Sequence, residues 1–462
     1  MENRTKIICT IGPASQEKSV LHKMITAGMD CVRLNFSHGT YGQFAAIIRA
    51  IREISKTSGR EIAIIQDLQG PKIRVGDVGE KGISVQKGDE LILGKDGIPI
   101  DYRALPSEVK SGDIILVDDG LIELHVISVN AGKTQIRCKV IVNGIIKSHK
   151  GMNVPTASLS AHPLTQKDRK DIDFGVRHGV DYVALSFVRE AKDIFELKSL
   201  LKRKKSHAKV IAKIERHEAI TNMEEIIRAA DAVMVARGDL GIEIPAEQVP
   251  LQQKKIIHLC NQYGKPVIVA TQMLNSMIDS PRATRAEISD AATAIFDHAD
   301  ALMLSNETAV GKYPVEAAAT LARVAAAVER DLKSHQHLLN LRRPEDMTIV
   351  NATCLNATKL AHDIRAKYIV AVTRSGYTAA EIAKYRPFIP VIVFAPNVHV
   401  ARQMSLVWGV TNSFVQFIHL NHPLLQIRKT LLAHHLVKTG DEIVICNAGF
   451  GKKEKLITTT MI

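Results

Sequence analysis

Residues 210–239, VIAKIERHEAITNMEEIIRAADAVMVARGD, contain the pattern that decides the fold. Two short runs rich in aliphatic residues, Val210–Glu215 and Ala232–Ala236, lie on either side of a helix-like stretch. Runs that are apolar on both faces are typical of strands buried within a parallel sheet. Strands that alternate with helices build the α/β folds. The stretch therefore predicts one strand–helix–strand unit of a parallel α/β protein.

The same alternation recurs along much of the chain. The predicted strands are Thr5–Thr10, Cys31–Phe36, Ile62–Leu68, Tyr182–Phe187, Val210–Glu215, Ala232–Ala236, Pro266–Thr271 and Ala301–Ser305. Eight strand–helix units fit a closed (β/α)₈ TIM barrel. An open doubly wound sheet is the alternative, but no GxGxxG sequence follows the first predicted strand.

One region interrupts the alternation. Between residues 71 and 162 the helical period is missing, and turn signals such as Asp119-Gly120 and Asn143-Gly144 separate strand-like runs. We predict a small, all-β, barrel-like lid domain over residues 71–162, inserted into a loop of the barrel. The barrel itself would then comprise residues 1–70 and 163–342, and the two connections would form a hinge.

A second boundary is predicted by the polar stretch KSHQHLLNLRRPED, residues 333–346. The predicted elements beyond it are helices Ala352–Ile364, Ala379–Tyr385 and Asn397–Leu406 and strands Tyr368–Thr373, Val391–Ala395 and Glu442–Gly449. This pattern predicts an open-sheet α/β domain over residues 343–462.

The composition favours a globular protein with small anionic ligands. The chain has 462 residues, of which 46% are hydrophobic and 24% charged, and its formal net charge is +13. Aromatic residues amount to only 4%, which leaves few stacking platforms for nucleic-acid bases. The six cysteines are dispersed without a CxxC pair, as in proteins of the reducing cytoplasm. No apolar run reaches the roughly 20 residues of a membrane span.

Polar residues cluster where the predicted strands end. They are Arg33, Asn35, Ser37, Asp67, Ser186, Lys213, Glu215, Arg237, Asp239, Thr271 and Ser305. In a barrel these positions reach the same mouth, where such folds carry out their chemistry. Any one of them alone is better explained as a strand-end cap or a turn residue, but that explanation is poor for the ends of seven strands together.

Two groups of these side chains indicate a particular chemistry. Lys213 and Glu215 lie two apart on one strand and Asp239 follows the next, so two carboxylates could hold Mg²⁺ beside a phosphate. A simple Lys–Glu ion pair is the alternative. Gly238 and Asp239 open a turn into a helix, where free N–H groups could bind an anion.

A basic set extends over the barrel mouth and the lid: Arg33, His38, Arg74 and Lys150. Phosphoryl groups need several fixed cations, and arginine offers bidentate contacts. These residues suggest a cleft that closes on a polyphosphate, although no GxxxxGK[ST] loop is present.

The chain resembles the pyruvate kinase family over nearly its whole length. The matching segments are TKIICTIGPAS, VRLNFSHG, DLQGPKIRVG, VDDGLIEL, KGMNVP, GVDYVALSFVR, IAKIE, MVARGDLGIEIP, KPVIVATQML, TRAE and ALMLSNETAVGKYP. They follow the family's order and spacing. The resemblance implies a (β/α)₈ barrel, a β lid and a C-terminal α/β domain, the same division that the pattern predicts.

The resemblance also implies an activity, in which phosphoenolpyruvate and ADP give pyruvate and ATP, the last step of glycolysis. Glu215 and Asp239 would hold Mg²⁺ (or Mn²⁺), and Lys213 would neutralise the transferring phosphoryl group. Thr271 would bind the substrate carboxylate, together with the backbone of Gly238 and Asp239, and lie on the proton path. Further implied residues are Arg33, Ser186 and Ser305 for the substrate, and Asn35, His38, Arg74 and Lys150 for the nucleotide.

One departure concerns K⁺. Family members that need K⁺ hold it with groups corresponding to Asn35, Ser37, Asp67 and the Leu68 carbonyl, and they carry glutamate where this chain has Lys72. The chain resembles the K⁺-independent branch. Our hypothesis is that the Lys72 ammonium supplies the charge that K⁺ would bring.

The C-terminal domain would bind an effector and make subunit contacts. The resemblance implies that its loop binds an effector phosphate through Thr373, Arg374, Ser375, Gly376 and Thr378. It favours a sugar monophosphate or AMP as effector, and it implies a cytoplasmic homotetramer.

Two other classes of protein must be weighed. A different Mg²⁺-dependent barrel enzyme of enolpyruvate chemistry would share Glu215 and Asp239 but would have no use for the lid, Arg33, His38 or Arg74. A non-enzymatic binding protein, for nucleic acid given the charge of +13, would not need Lys213, Glu215, Asp239 and Thr271 together. We expect neither a nucleic-acid nor a membrane partner.

Overall fold

The computed structural model describes residues 3–332, 347–418, 423–448 and 456–462. Eight parallel strands close into a barrel, which confirms the predicted (β/α)₈ fold. In order around the barrel they are β1 (Lys6–Thr10), β2 (Cys31–Asn35), β3 (Ala63–Asp67), β12 (Tyr182–Leu185), β13 (Lys209–Ile214), β14 (Ala232–Ala236), β15 (Val267–Ala270) and β16 (Ala301–Leu304). Seven of the eight predicted runs contain one of these strands, and the run Val210–Glu215 overlaps β13, which begins one residue earlier at Lys209.

Helices surround the barrel strands and bury an apolar core against them. They are α1 (Lys18–Thr26), α2 (Tyr41–Ser58), α4 (Gln166–Arg177), α5 (Ala191–Arg203), α6 (His217–Thr221), α7 (Met223–Ala229), α8 (Arg237–Glu243), α9 (Val249–Gln262), α10 (Arg285–Phe296), α11 (Asn306–Ala309) and α12 (Pro314–Asp331). Reciprocal side-chain caps begin several of them, as at Thr40 and Gln43 before α2.

The C-terminal domain closes the amino-terminal end of the barrel. Leu406 is fully buried and belongs to the same apolar cluster as the inward-facing barrel residues. The Tyr182 hydroxyl, at the start of β12, donates to the Gln403 carbonyl at 2.9 Å. The carboxyl ends of the strands therefore lie at the opposite end, on the side of the lid.

The lid between β3 and α4 is built from antiparallel strands, as predicted. They are β4 (Ile73–Arg74), β5 (Ile83–Val85), β6 (Glu90–Gly94), β7 (Ile114–Val117), β8 (Ile122–Val129), β9 (Gln135–Val142), β10 (Gly144–Ile146) and β11 (Gly151–Asn153). One four-residue helix, α3 (Leu105–Glu108), was not expected from the sequence. It begins with Pro106 in its first turn and buries Leu105 in the lid core.

The C-terminal domain has a five-stranded sheet in the order β19-β18-β17-β20-β21, with β21 antiparallel. Its elements are α13 (Ile349–Asp363), β17 (Tyr368–Val372), α14 (Tyr377–Ala383), β18 (Val391–Ala395), α15 (Val398–Gln403), β19 (Val410–Val415), α16 (Pro423–Ala433), β20 (Glu442–Asn447) and β21 (Leu456–Met461). The sequence did not predict β19, α16 or β21. The predicted boundary stretch, with its division at residue 342, lies outside the described residues.

Two expectations about the whole chain can be compared with the structure. All six cysteines are free and buried, in agreement with the absence of a predicted disulfide framework. In the part of the chain that the structure describes, the helices are too short or too polar to traverse a lipid bilayer.

Candidate active site

The ammonium of Lys213 is the centre of a buried polar cluster at the carboxyl end of the barrel. It lies 2.7 Å from Glu215 Oε1 and 3.3 Å from Asp67 Oδ1, and it donates to Ser186 Oγ at 2.8 Å. The Lys213 side chain is 10% exposed and both carboxylates only 1%. Although burial lowers the pKa of the ammonium, Asp67 and Glu215 raise it above its ordinary value. The lysine is therefore a fixed cation.

Asp67 holds a second cation in place. Its Oδ2 accepts from Arg33 Nε at 2.7 Å and lies 2.7 Å from the Arg33 NH2 nitrogen. A third guanidinium nitrogen of Arg33 donates to Thr10 Oγ1 at 3.0 Å. Burial opposes ionisation of Asp67, but Lys213 and Arg33 lower its pKa below the ordinary value. The Asp67 carboxylate thus fixes the positions of both cations.

The two carboxylates predicted to hold a metal ion lie in one electrostatic neighbourhood. Glu215 follows the end of β13, and its Oε2 accepts from the backbone N–H of Phe187 at 2.8 Å. Burial raises the pKa of Glu215 above its ordinary value, with a smaller contribution from the Asp239 carboxylate, although Lys213 opposes the shift. Two mutually repelling carboxylates, of which Asp239 is partly accessible, form a donor set that fits a hard divalent cation.

The turn that carries Asp239 is fixed by Thr271. Helix α8 begins at Arg237, and the backbone N–H of Gly238 donates to Thr271 Oγ1 at 2.8 Å. The same hydroxyl donates to the Ala270 carbonyl at 2.6 Å. Thr271 has a φ of 68°, an unusual value for a β-branched residue. In this structure the Gly238 N–H is paired with Thr271, so an incoming carboxylate would have to share or displace that hydrogen bond.

Two serines predicted to line the substrate pocket differ in their surroundings. Ser186 donates to the Leu68 carbonyl at 2.8 Å and accepts from Lys213. The hydroxyl of Ser305 is buried and has no hydrogen-bond partner among the described residues. Buried hydroxyls are normally paired, so Ser305 has an unused hydrogen-bonding group at a strand end.

The predicted nucleotide residues are divided between the barrel and the lid. Arg74 donates to the His149 carbonyl at 2.8 Å, and Lys150 Nζ lies 2.9 Å from Asp118 Oδ1, both within the lid. His38 is exposed after β2, and Asn35 accepts from the Ser37 N–H at 3.1 Å. The lid cations therefore contact the lid's own groups rather than the Lys213 cluster.

Lys72 lies at the connection between the barrel and the lid. Its Nζ is 3.9 Å from Asp119 Oδ1, and a Cβ added to Gly151 would meet the Lys72 side chain at 2.7 Å. Of the predicted K⁺ pocket, Asp67 is paired with Arg33 and Lys213, and the Leu68 carbonyl accepts from Ser186. The Lys72 side chain therefore lies beside Asp119 and Gly151 of the lid rather than in the predicted K⁺ pocket.

The predicted effector loop precedes α14, and one of its residues, Gly376, lies close to Lys209 of barrel strand β13. Gly376 has a φ of 88°, and its N–H donates to Thr373 Oγ1 at 3.0 Å. A Cβ at Gly376 would lie 2.3 Å from Met404 Cε and 3.3 Å from Lys209 Nζ, so a larger residue would clash. Arg374 and Ser375 are exposed, and Thr378 is buried.

Some residues of the site were not found by sequence reasoning. Thr10 ends the first predicted strand and could have been included by the same criterion that selected Arg33. Glu243, whose side chain is 2% exposed, accepts a hydrogen bond from Asn153 of the lid at 3.0 Å. That contact joins two domains, and no local pattern indicates it.

Fold and site together define a lidded TIM-barrel enzyme whose buried cations and carboxylates suit a phosphorylated substrate. The family model "Pyruvate kinase, barrel domain" matches residues 2–318, and "Pyruvate kinase, alpha/beta domain" matches residues 351–461. The chain belongs to the pyruvate kinase family of enzymes, which act on phosphoenolpyruvate and ADP.

Individual relatives agree with this assignment. "Pyruvate kinase 2" of Synechocystis sp. is 44% identical over 460 residues, which cover 97% of this chain and 77% of the relative. The pyruvate kinase of Geobacillus stearothermophilus is 44% identical over 455 residues, 96% of this chain and 77% of that protein. The crystal structure of a pyruvate kinase from Cryptosporidium parvum superposes with a TM-score of 0.93 at 34% identity, covering 100% of this chain and 96% of that one.

Proposed function

We propose that the barrel mouth transfers the phosphoryl group of phosphoenolpyruvate to ADP in a Mg²⁺-dependent reaction that yields pyruvate and ATP. The observation that carries this proposal is the fixed arrangement of Lys213 between Glu215 and Asp67, with Arg33 on the other side of Asp67. Phosphoryl transfer depends chiefly on positioning and on charge neutralisation. This cluster supplies both.

Glu215 and Asp239 would hold the divalent ion. When bound, Mg²⁺ (or Mn²⁺) would neutralise negative charge on the phosphoryl oxygens. The fit rests on the donor set, because neighbouring strands β13 and β14 lead directly to Glu215 and to the α8 turn with Asp239, and carboxylate oxygens are the ligands that a hard divalent cation prefers.

Lys213 and Arg33 would act on the transferring group. The terminal oxygen of ADP forms a bond to phosphorus while the bond from phosphorus to the enol oxygen breaks. Negative charge then develops on the enolate oxygen, where the Lys213 ammonium would stabilise it. Arg33, oriented by Asp67 and Thr10, would grip the phosphoryl oxygens. Ser186 and Ser305 would complete the substrate pocket.

Thr271 would serve the substrate carboxylate and the proton. Its hydroxyl already positions the Gly238 N–H, and together with the N–H of Asp239 these groups would bind the carboxylate of phosphoenolpyruvate. The enolate left by the transfer must gain a proton on its methylene carbon to become pyruvate. We propose that a water held by Thr271 delivers that proton.

The lid would supply the remaining nucleotide contacts. Arg74 ends lid strand β4, and Lys150 directly precedes its paired strand β11, while His38 and Asn35 belong to the barrel. We propose that the lid rotates toward the barrel when Mg²⁺ and nucleotide bind. Lys150 would then exchange Asp118 for a phosphate oxygen.

Three finer features are also proposed. The reaction would not require K⁺, because the Lys72 ammonium would bring its charge to the pocket of Asn35, Ser37, Asp67 and Leu68. A sugar monophosphate or AMP would activate the enzyme at the loop of Thr373, Arg374, Ser375, Gly376 and Thr378. The protein would act as a cytoplasmic homotetramer.

A coupled assay of pyruvate formation tests the main proposal. We expect pyruvate from phosphoenolpyruvate only when ADP and Mg²⁺ are both present. Pyruvate formed without ADP would favour a different enzyme of enolpyruvate chemistry. No pyruvate under any condition, with a salt-dependent shift of DNA mobility, would favour a binding protein instead.

A further inference from the structure

The carboxylate of Glu243 joins three segments of the chain. Asn153, at the end of lid strand β11, donates to its Oε1 at 3.0 Å. On the other oxygen, His217 Nδ1 lies 3.2 Å away and an Arg216 nitrogen 4.0 Å away. The Glu243 side chain is 2% exposed, so it depends on these partners in place of water.

Each of the three segments carries a proposed functional group. Strand β11 follows Lys150 and pairs with β4, where Gly151 lies opposite Arg74. Arg216 and His217 follow Glu215 directly. Helix α8, which Glu243 ends, holds Asp239 in its first turn. Since Asp239 and Glu243 are four residues apart, they lie on one face of the helix, one turn from each other.

A metal ion is a possible alternative occupant of this cluster. The ligand atoms of His217, Glu218 and Glu243 lie within 4.8 Å of one another. However, the Arg216 guanidinium already donates to both oxygens of Glu218, at 3.0 Å and 3.3 Å. Glu218 is thus paired with Arg216 and Glu243 with His217, so both carboxylates already have partners within the protein.

We propose that Glu243 is a positioning residue that couples the lid to the metal site, its bond with Asn153 setting the position of Asp239. The inference rests on the proposed function, because it takes Asp239 as a metal ligand. When the lid moves, Asn153 moves with it, and the Glu243 carboxylate gains or loses that hydrogen bond. Helix α8 is a rod of two turns, so a shift at Glu243 reaches Asp239. The coupling is reciprocal: occupation of the metal site would also favour one position of the lid.

Binding of Mn²⁺ to the nucleotide-free protein, followed by electron paramagnetic resonance, tests this coupling without turnover. We expect Asn153→Ala and Glu243→Gln each to weaken Mn²⁺ binding about fivefold or more. In the double variant the loss should stay within about twofold of the larger single loss, because both changes break one link. Asn153→Ala alters no charge, so its effect cannot come from the field at the metal.

Matched controls separate position from charge and fold. Glu218→Gln removes the same charge from the same cluster without touching the lid, and Asn130→Ala makes the same truncation in a distant lid turn. We expect both to bind Mn²⁺ within about twofold of the unaltered protein. Equal effects of Glu218→Gln and Glu243→Gln, an unchanged affinity in Asn153→Ala, or losses that multiply in the double variant would each overturn the proposal. If instead Asp239→Asn leaves Mn²⁺ binding unchanged, the metal assignment itself fails.

Discussion

Lys213 Nζ lies 2.7 Å from Glu215 Oε1, although the lysine is the penultimate residue of β13 and the glutamate follows its end. The alternation of side chains along a strand places both on one face. The pairing gives the lysine two roles: it balances buried negative charge in the free protein and is ready to meet the charge that develops during phosphoryl transfer. Its removal should therefore affect both stability and catalysis.

Lys213→Met should lower kcat for pyruvate formation by about 10²–10³-fold, the usual effect of losing a group that stabilises transition-state charge. It also leaves Asp67 and Glu215 buried with one cation fewer, which should cost about 3–5 kcal/mol of stability. The coupled assay and urea unfolding measure the two effects. Lys202→Met, at the exposed end of α5, is the control and should change neither; similar kcat values for the two variants would contradict the role of Lys213.

Asp239→Asn should weaken activation by Mg²⁺ about tenfold or more, since even partners behind a metal ligand contribute that much to affinity. The carboxylate near Glu215 disappears, so Glu215 is left without the second carboxylate of the proposed divalent-ion site. A Mg²⁺ titration of the initial rate measures the change. Asp279→Asn replaces an exposed aspartate that pairs with Lys312, and an equal loss there would count against a specific metal site.

The barrel was predictable from sequence because each of its strands is buried on both faces and reads as a short aliphatic run. Strands β19 and β21 lie at the edges of the C-terminal sheet. Their sequences, VTNSFV and LITTTM, contain polar as well as apolar residues, and most of their positions are partly exposed, so neither forms an aliphatic run. Helix α3 has only four residues, about one turn, which is too short for the sequence to show a helical repeat of apolar residues. These elements are defined by tertiary contacts rather than by local pattern.

The site divides in the same way. The proximity of Arg33, Lys213 and Glu215 could be predicted from their positions at strand ends, because the carboxyl ends of the parallel strands all lie at the same end of the barrel. The bond from Asn153 to Glu243 depends on how the lid docks on the barrel. Sequence spacing does not determine how two domains are oriented.

Lys72→Glu should create a requirement for K⁺. The unaltered enzyme should turn over at full rate in a buffer whose only monovalent cation is bulky, because the Lys72 ammonium supplies the charge. In the variant that charge is reversed, and added K⁺ should restore the rate. Initial rates with and without K⁺ measure this, with Lys87→Glu in the lid as control. Negligible turnover of the unaltered enzyme without K⁺, rescued by K⁺, would refute the hypothesis.

Lys209 should make stability depend on pH in the alkaline range. Burial lowers the pKa of Lys209 from 10.5 to about 8. The positive charges of Lys265 and Lys198 add to this shift, and the Asp231 carboxylate opposes it. Between these values the unfolded chain binds more protons than the native one, so the free energy of unfolding should rise with pH. Lys209→Met should stabilise the protein at pH 7 by up to about 3 kcal/mol.

This gain should shrink as the pH rises from 8 toward 10.5. Urea unfolding of both proteins across that range measures it, with Lys202→Met as the exposed control. A gain that stays constant with pH would mean that better packing, rather than the buried charge, explains the effect of the substitution.

Leu406→Ala should loosen the attachment of the C-terminal domain to the barrel. Leu406 is fully buried and packs with the inward-facing residues of the barrel strands, so its truncation leaves a cavity at the base of the barrel. A loss of about 2–5 kcal/mol is usual for such a change. The midpoint of urea unfolding should fall accordingly, whereas Leu425→Ala, at a position 68% exposed, should leave it nearly unchanged. Equal midpoints in the two variants would show that the barrel interior does not depend on Leu406.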